Sequence, residues 1–293
     1  MRVRSASPRT ALLAAVLGLV ALVLAGCGTP AGATDKGKTS GTITLKVGGR
    51  ERSYLLEPAT ADQGRKGSAL VAVLHQEGGT PEGIAKETAL QALRSAGATL
   101  VYPAGVEGSW DAGKCCGIPS RQNIDDVRFI DAVLKDASER VHVDSKREAL
   151  VGYSSGGMLT YRYVCARPGK LAVAVVVSGS LESNCDSGIT VPDVLTLHGK
   201  LDGTIGLTRP IFITRLGLAP RPAASTLSML TTSGGCGKGT TTHAYGAEVH
   251  RWDDCRGGSV VEALLIPEAG HGWGNLDASR RTLDFLRQRL LAG

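Results

Sequence analysis

A serine framed by glycines is the part of this sequence best suited to chemistry. Residues 149–157 read Ala-Leu-Val-Gly-Tyr-Ser-Ser-Gly-Gly, so an apolar run enters a G-x-S-x-G pattern, and a helix-compatible segment, 158–166, leaves it. This order is typical of a nucleophile elbow, a sharp strand-to-helix turn that exposes one serine. Gly152 and Gly156 suit such a turn because a side chain at either position would crowd the strand–helix crossing. The pattern predicts Ser154 as a nucleophile, with a helix N-terminus adding partial positive charge beside it.

A carboxylate and an imidazole follow the serine in the order that an α/β-hydrolase requires. An apolar run at 191–197 leads into His-Gly-Lys-Leu-Asp-Gly, and a second run at 260–266 leads into a glycine-rich loop. These loops place Asp202 and His271 just past predicted strands, where open α/β sheets bind ligands. The imidazole would take the serine proton and return it to the leaving group, while the carboxylate holds the imidazole tautomer. The order therefore predicts a triad with Ser154; the alternatives are an ordinary turn aspartate and a loop-capping histidine.

The elements that must position these residues alternate between strand and helix patterns. Two alternating runs, 42–47 and 53–57, surround Gly48-Gly49 and predict an antiparallel hairpin. Asn123 is a suitable N-cap for a helix from 124 to about 139. Further strands are predicted at 70–75, 98–102, 171–177, 191–197 and 260–266. Further helices are predicted at 81–95 and 277–291. The alternation favours the α/β class, with a mostly parallel, doubly wound sheet and an N-terminal antiparallel hairpin.

Motifs outside the elbow make the interpretation more specific. They are Leu-Val-Ala-Val-Leu-His at 70–75, Val-Tyr-Pro-Ala-Gly at 101–105, Trp-Asp-Ala-Gly-Lys-Cys-Cys-Gly at 110–117, Ile-Asp-Asp-Val-Arg-Phe-Ile at 124–130 and Gly-His-Gly-Trp at 270–273. Through these segments most of the mature chain resembles the secreted esterase family that groups polyhydroxybutyrate depolymerases with feruloyl and acetylxylan esterases, including its bacterial lipoprotein branch. The resemblance implies an α/β-hydrolase fold and hydrolysis of carboxylic esters, with Ser154, Asp202 and His271 as the triad.

The sequence departs from the pattern of that family at two places. Residues 75–77 read His-Gln-Glu, where relatives carry His-Gly and a small or uncharged residue. Backbone N–H groups of this loop, at Gln76 and Glu77, and that of Ser155 are predicted to form the oxyanion hole. A Glu77 carboxylate that points inward would oppose catalysis, and one that points outward would be harmless. Residues 271–274 read His-Gly-Trp-Gly, where His-Thr-Trp-Pro is common in relatives, and this change loosens the loop.

Three aromatic residues lie beside the predicted site in a chain whose aromatic content is only 4%. Trp110, Tyr153 and Trp273 are candidates for binding the acyl or sugar part of a substrate, and packing is the alternative. The six histidines do not have metal-ligand spacing, so we expect no metal site and no cofactor.

The N-terminus predicts export. Residues 1–26 resemble a lipoprotein signal peptide, with a basic start, an apolar run at 11–24 that is too short to span a bilayer comfortably, and small residues before Cys27. Cleavage before Cys27 and acylation of its thiol would attach the protein to the bacterial cell membrane. A plain signal peptide or a short membrane anchor is the alternative. Residues 27–40 are predicted to be a flexible tether, and 41–293 the catalytic domain.

Six cysteines remain after Cys27, an even number that suggests three disulfides in an oxidising compartment. Cys236 and Cys255 flank one polar segment and are expected to pair with each other. Cys115 and Cys116 are then expected to bond Cys165 and Cys185, in an order that the sequence leaves open. A vicinal bond between residues 115 and 116 is possible but disfavoured because it is strained.

Composition limits the classes of function. The net charge of +6 is small for 293 residues, and basic residues form no stripe with interleaved aromatics, which argues against nucleic-acid binding. The expected partners are a small or oligomeric ester and, through Cys27, a membrane; the protein is expected to be a monomer. Two alternatives to a serine esterase stay open. They are a serine peptidase of the same fold and a catalytically silent surface-binding lipoprotein, which Glu77 would favour.

Overall fold

The computed structural model describes residues 37–292. The predicted signal peptide, Cys27 and most of the predicted tether lie outside the described residues, so the boundaries 1–26, 27–40 and 41–293 stay predictions. Within the part of the chain that is described, no helix has the length and apolar character needed to cross a bilayer.

Strands and helices alternate through most of the described chain. The strands are β1 (Gly41–Val47), β2 (Arg50–Glu57), β3 (Ser68–Leu74), β4 (Ala98–Pro103), β5 (Val143–Tyr153), β6 (Val173–Val177), β7 (Asp193–Gly199), β8 (Thr240–Ala244), β9 (Ala247–Trp252) and β10 (Val261–Ile266). The helices are α1 (Pro81–Thr88), α2 (Gly117–Arg121), α3 (Asp126–Arg140), α4 (Ser155–Ala166), α5 (Ala223–Ser233) and α6 (Ala278–Leu286), which a π-helical turn, Arg287–Leu291, continues.

The ten strands described form one sheet in the order β1-β2-β4-β3-β5-β6-β7-β10-β9-β8. Its central strands, from β4 to β10, pair in parallel. An antiparallel hairpin extends each edge, β1–β2 on one side and β8–β9 on the other. The predicted mostly parallel sheet with an N-terminal antiparallel hairpin is therefore confirmed.

Two apolar layers cover the sheet because its central strands are buried on both faces. Along β5, Leu150 belongs to one layer and Val151 to the other, as the alternation of side chains in a strand requires. Helices α3 and α4 cover the first face through residues such as Phe129 and Leu159. Helices α1 and α6 cover the second face through residues such as Ile84 and Phe285.

Several predicted boundaries were wrong for local reasons. Helix α1 ends at Thr88, because Ala89 adopts a left-handed conformation with φ 53°, and a 3₁₀ segment, Leu90–Ala96, follows. The N-cap of α3 is Asp125 and not Asn123; the Asp125 side chain accepts a hydrogen bond from the N–H of Arg128 at 2.9 Å. The hairpin β8–β9 and helix α5 were missed. Strand β8 is polar and largely exposed, so it has no apolar alternation, whereas Ala223, Leu227 and Leu230 of α5 do have helical spacing and could have marked it.

The disulfides follow only part of the expected pattern. Cys236 and Cys255 are bonded to each other, as expected. Cys165 and Cys185 form a second disulfide, with Cα atoms 5.0 Å apart, because the end of α4 lies against the loop that follows β6. Cys115 and Cys116 are therefore left to each other and form the vicinal bond, so the expectation that they bond residues 165 and 185 was wrong.

Candidate active site

Ser154 lies at the turn between β5 and α4. It has φ 53° and ψ −116°, a conformation that non-glycine residues rarely adopt, and its N–H donates to the carbonyl of Val177 at 2.9 Å. A Cβ atom at Gly156 would lie 2.4 Å from the carbonyl oxygen of Leu74, so only glycine allows α4 to pass so close to the end of β3. The local backbone is that of a nucleophile elbow, with the serine presented at the helix N-terminus.

A chain of hydrogen bonds joins the three predicted triad residues. The Oγ of Ser154 lies 3.0 Å from Nε2 of His271, and Nδ1 of His271 lies 2.9 Å from Oδ2 of Asp202. A carboxylate only accepts, so Nδ1 carries the proton and Nε2 is free to accept from the serine hydroxyl. This tautomer is the one that a general base needs.

Asp202 is held as an anion beneath the histidine. Its other oxygen, Oδ1, accepts hydrogen bonds from the N–H groups of Thr204 and Ile205, both at 2.8 Å. Burial acts to raise the pKa of Asp202, but the hydrogen bond and charge of His271 and the two backbone donors outweigh it and hold the pKa below its ordinary value. The Asp202 side chain is thus held in its ionised form, which can accept the hydrogen bond from Nδ1 of His271.

A second histidine, His198, contacts the turn at residues 202–205 that carries Asp202. His198, at the end of β7, is fully buried, and its Nε2 lies 2.9 Å from the carbonyl oxygen of Ile205 and 3.6 Å from Oδ2 of Asp202. Burial lowers the pKa of His198, so the ring is neutral and donates from Nε2. The donated hydrogen bond fixes the turn that presents Asp202.

The loop at residues 75–79, here called the oxyanion loop, follows β3 and faces the elbow. His75 holds this loop: its Nδ1 lies 2.8 Å from the carbonyl oxygen of Gln76, and its Nε2 accepts from the N–H of Gly105 at 3.0 Å. Burial lowers the pKa of His75, which agrees with a neutral ring that accepts through Nε2. The indole N–H of Trp110 donates to the carbonyl of His75 at 2.8 Å, so the loop is tied to the segment after β4.

The backbone donors expected for an oxyanion hole are available. The N–H of Gly78 donates to Gly108 and that of Gly79 donates to Gln76, whereas the N–H groups of Gln76 and Glu77 donate to no backbone carbonyl among residues 37–292. The N–H of Ser155, at the start of α4, has no partner inside its helix. Two loops that meet at the elbow can therefore each direct one N–H at a developing oxyanion.

The three aromatic candidates are buried rather than lining an open cleft. Trp110 is 0% exposed, and Trp273 is 2% exposed with its indole N–H donating to Ser279 Oγ at 2.8 Å. The ring of Tyr153 lies 5.8 Å from that of His271 and 6.0 Å from that of Trp273. These contacts favour the packing alternative. Tyr153 packs near the imidazole of His271, and Trp110 is bonded to the oxyanion loop at His75.

The sequence did not predict the anchor of the loop that carries Trp110. Asp126 is fully buried; its Oδ1 accepts from Arg52 at 2.8 Å and its Oδ2 accepts from the N–H of Asp111 at 2.7 Å. Burial raises the pKa of Asp126, against the opposing charge of Arg52. The paired aspartates at 125 and 126 were visible in the sequence, but the arginine on β2 was not marked by any local pattern.

Within residues 37–292 no group of three or more His, Cys, Asp or Glu side chains is arranged to hold a metal ion.

The parallel sheet, the elbow after β5, and the acid and imidazole on later strand ends together define an α/β-hydrolase. Two of the relatives found by sequence comparison match this chain over two thirds or more of its length. Probable feruloyl esterase C of Aspergillus clavatus is 27% identical over 254 residues, which cover 80% of this chain and 89% of that protein. Feruloyl esterase C of Emericella nidulans is 29% identical over 217 residues, which cover 68% and 76%. No family model matches the chain.

Solved structures agree in fold. An acetyl xylan esterase from Aspergillus awamori superposes with a TM-score of 0.57 at 14% identity and covers 82% of this chain and 98% of its own. The native form of a protein named sOPH superposes with a TM-score of 0.62 at 16% identity, covering 86% and 87%. The fold is that of an α/β-hydrolase, as the motifs predicted, and the relatives, which are named feruloyl esterases, support a carboxylic-ester hydrolase.

Proposed function

We propose that this protein is an exported, lipid-anchored serine esterase that hydrolyses small or oligomeric carboxylic esters of acyl, aryl or feruloyl type. The observation that carries the proposal is the hydrogen-bond chain from Ser154 Oγ through His271 to Asp202, with links of 3.0 and 2.9 Å. The names of the curated relatives, feruloyl esterases, support the choice of substrate class.

The geometry suits a two-step acyl transfer. Ser154 Oγ attacks the ester carbonyl carbon while its proton passes to Nε2 of His271, and Asp202 stabilises the imidazolium that forms. The carbonyl oxygen becomes an oxyanion, which accepts from the N–H of Ser155 and an N–H of the oxyanion loop. Collapse of this intermediate expels the alcohol, which takes the proton from His271, and leaves an acyl-enzyme. Water then repeats the sequence and releases the acid.

Purified full-length protein in detergent tests the activity. We expect turnover of p-nitrophenyl acetate and of methyl ferulate, and loss of several orders of magnitude in kcat in Ser154→Ala and His271→Ala. Ser225→Ala, an exposed serine on α5, is the matched control and should retain full activity. Cleavage of a peptide p-nitroanilide in preference to the esters would favour the serine peptidase. Absence of turnover with every substrate would favour the silent surface-binding lipoprotein.

Membrane attachment rests on different residues. The lipobox-like sequence Leu-Ala-Gly-Cys at 24–27 supports acylation of Cys27, and the three disulfides among the described residues suit an oxidising compartment. Cells fed an alkyne-labelled fatty acid should incorporate it into the parent and not into Cys27→Ala. Equal labelling of both proteins would contradict the anchor while leaving the esterase proposal intact.

A further inference from the structure

One side chain of the oxyanion loop, that of Glu77, contacts a residue outside the loop. Oε2 of Glu77 accepts a hydrogen bond from Ser109 Oγ at 2.6 Å. We infer that Glu77 is a positioning residue that holds the oxyanion loop against Ser109. This inference rests on the proposed esterase function and concerns how the same site is kept in shape.

Ser109 is a fixed donor for Glu77. Its side chain is 3% exposed, and it precedes Trp110, whose indole N–H is bonded to the carbonyl of His75. Ser109 Oγ also lies 3.2 Å from the carbonyl oxygen of Cys116, but its single hydroxyl proton serves the shorter contact to the carboxylate. A hydrogen bond to an ionised acceptor is about twice as strong as one between neutral groups. The 109–117 segment therefore restrains Glu77 from one side of the loop.

The space for the Glu77 carboxylate is formed by this same segment. Gly117 has φ 56°, and a Cβ atom there would lie 2.8 Å from Ser109 Oγ and 3.1 Å from Oε1 of Glu77. The carboxylate thus occupies a position that a side chain at residue 117 would obstruct. The carboxylate of Glu77 thus has Ser109 as its partner, in contrast to a free carboxylate that can turn toward a developing oxyanion.

Two roles of Glu77 predict opposite changes in kcat on substitution: positioning of the oxyanion loop, and opposition to the oxyanion by the carboxylate charge. If the contact with Ser109 positions the loop, Glu77→Ala lowers kcat by about tenfold or more at a nearly unchanged KM, because loop N–H groups matter most to the developing oxyanion. Glu77→Gln keeps an acceptor for Ser109 and stays within about threefold of the parent. If the carboxylate instead opposes the oxyanion, both variants raise kcat.

The experiment uses purified full-length protein and measures kcat and KM for p-nitrophenyl acetate in four variants. They are Glu77→Ala, Glu77→Gln, Ser109→Ala and the double variant Glu77→Ala/Ser109→Ala, with Glu82→Ala on α1 as the matched control. We expect the double variant to be no slower than the slower single variant, since both single changes remove one contact. The rate of inactivation by a p-nitrophenyl alkylphosphonate, whose phosphoryl oxygen occupies the same hole, should fall in parallel with kcat. Thermal unfolding of each variant reports whether it is folded.

Ser109→Ala tests the contact from the opposite side if Glu77→Ala does not fold. An active parent whose kcat is unchanged or raised in Glu77→Ala and Ser109→Ala would overturn the positioning role and leave the esterase intact. Additive losses in the double variant would also overturn it. A parent without ester turnover would overturn both the proposed function and the inference built on it.

Discussion

Ser154 Oγ lies 3.0 Å from Nε2 of His271, although 117 residues separate the two along the chain. The elbow after β5 and the loop after β10 bring the two side chains together. Ser154 has a sparsely populated backbone conformation, and His271 is held by Asp202 on its far side. Such a costly arrangement is kept only where the surrounding structure over-determines it, which is typical of active sites.

Asp202→Asn is expected to lower kcat by about 10³- to 10⁴-fold at a similar KM. The N–H groups of Thr204 and Ile205 require an oxygen at Oδ1, so the amide nitrogen would face His271. His271 would then accept at Nδ1 and carry its proton on Nε2, where it cannot take the serine proton. Steady-state kinetics on p-nitrophenyl acetate measures the loss, and Asp186→Asn, an exposed aspartate, is the control. A variant that kept a tenth of the parent kcat would argue against this role.

Gly156→Ala is expected to abolish both soluble expression and activity. Its Cβ would lie 2.4 Å from the carbonyl oxygen of Leu74 and 2.6 Å from that of His75, so β3 and α4 would have to separate. Gly203→Ala is a matched control beside Asp202, because no atom lies within 4 Å of a Cβ built there. Yield, thermal unfolding and kcat of the two variants are compared. An active, stable Gly156→Ala protein would contradict the close crossing of strand and helix.

The free energy of unfolding is expected to fall as the pH drops below about 6.5, the ordinary pKa of histidine. Burial lowers the folded-state pKa values of His75 and His198, so below that pH the unfolded chain binds protons that the folded protein does not. Each histidine contributes a slope of up to about 1.4 kcal/mol per pH unit, with stability lost on acidification.

Urea unfolding between pH 5 and 7 measures this slope. His198→Gln should reduce it, whereas His243→Gln, at an exposed position on β8, should leave it unchanged. Equal slopes in the parent and in His198→Gln would show that the buried ring is not the group responsible.

Removing the Cys165–Cys185 disulfide by substituting both residues with alanine is expected to cost about 3 kcal/mol of unfolding free energy, because the bond closes a loop of this length in the denatured chain. The sequence separation is 20 residues, and it is 19 for Cys236–Cys255, so the second double-alanine variant should lose a similar amount. Urea denaturation without reductant gives both values. A loss below about 1 kcal/mol in both variants would contradict the loop-closure explanation.

Local patterns in the sequence predict most of the sheet and also mark Ser154, Asp202 and His271 as candidates. Buried parallel strands such as β5 and β6 are continuous apolar runs, and the elbow has a steric signature in its glycines. Asp202 and His271 were recognisable from their place after such runs. The residue that anchors the neighbouring loop was less visible: Arg52 on β2, which binds Asp126, carries no local pattern, since its role depends on contacts between segments far apart in sequence.

The errors have the same origin. The vicinal Cys115–Cys116 bond depends on which distant cysteine reaches Cys165, and only the packing of α4 against the loop at Cys185 decides this. For the aromatic candidates the sequence left substrate contact and packing open. Trp110 and Trp273 are buried, which favours packing, and burial of this kind depends on contacts that a linear pattern does not show.

The proposed triad is tested most directly by identifying the side chain that attacks the substrate. Full-length protein is treated with a fluorophosphonate, and intact mass and peptide mapping locate the adduct. We expect one adduct per chain on Ser154, absent in Ser154→Ala and formed orders of magnitude more slowly in His271→Ala. An adduct on another residue, or ester hydrolysis that persists in Ser154→Ala at the parent rate, would contradict it.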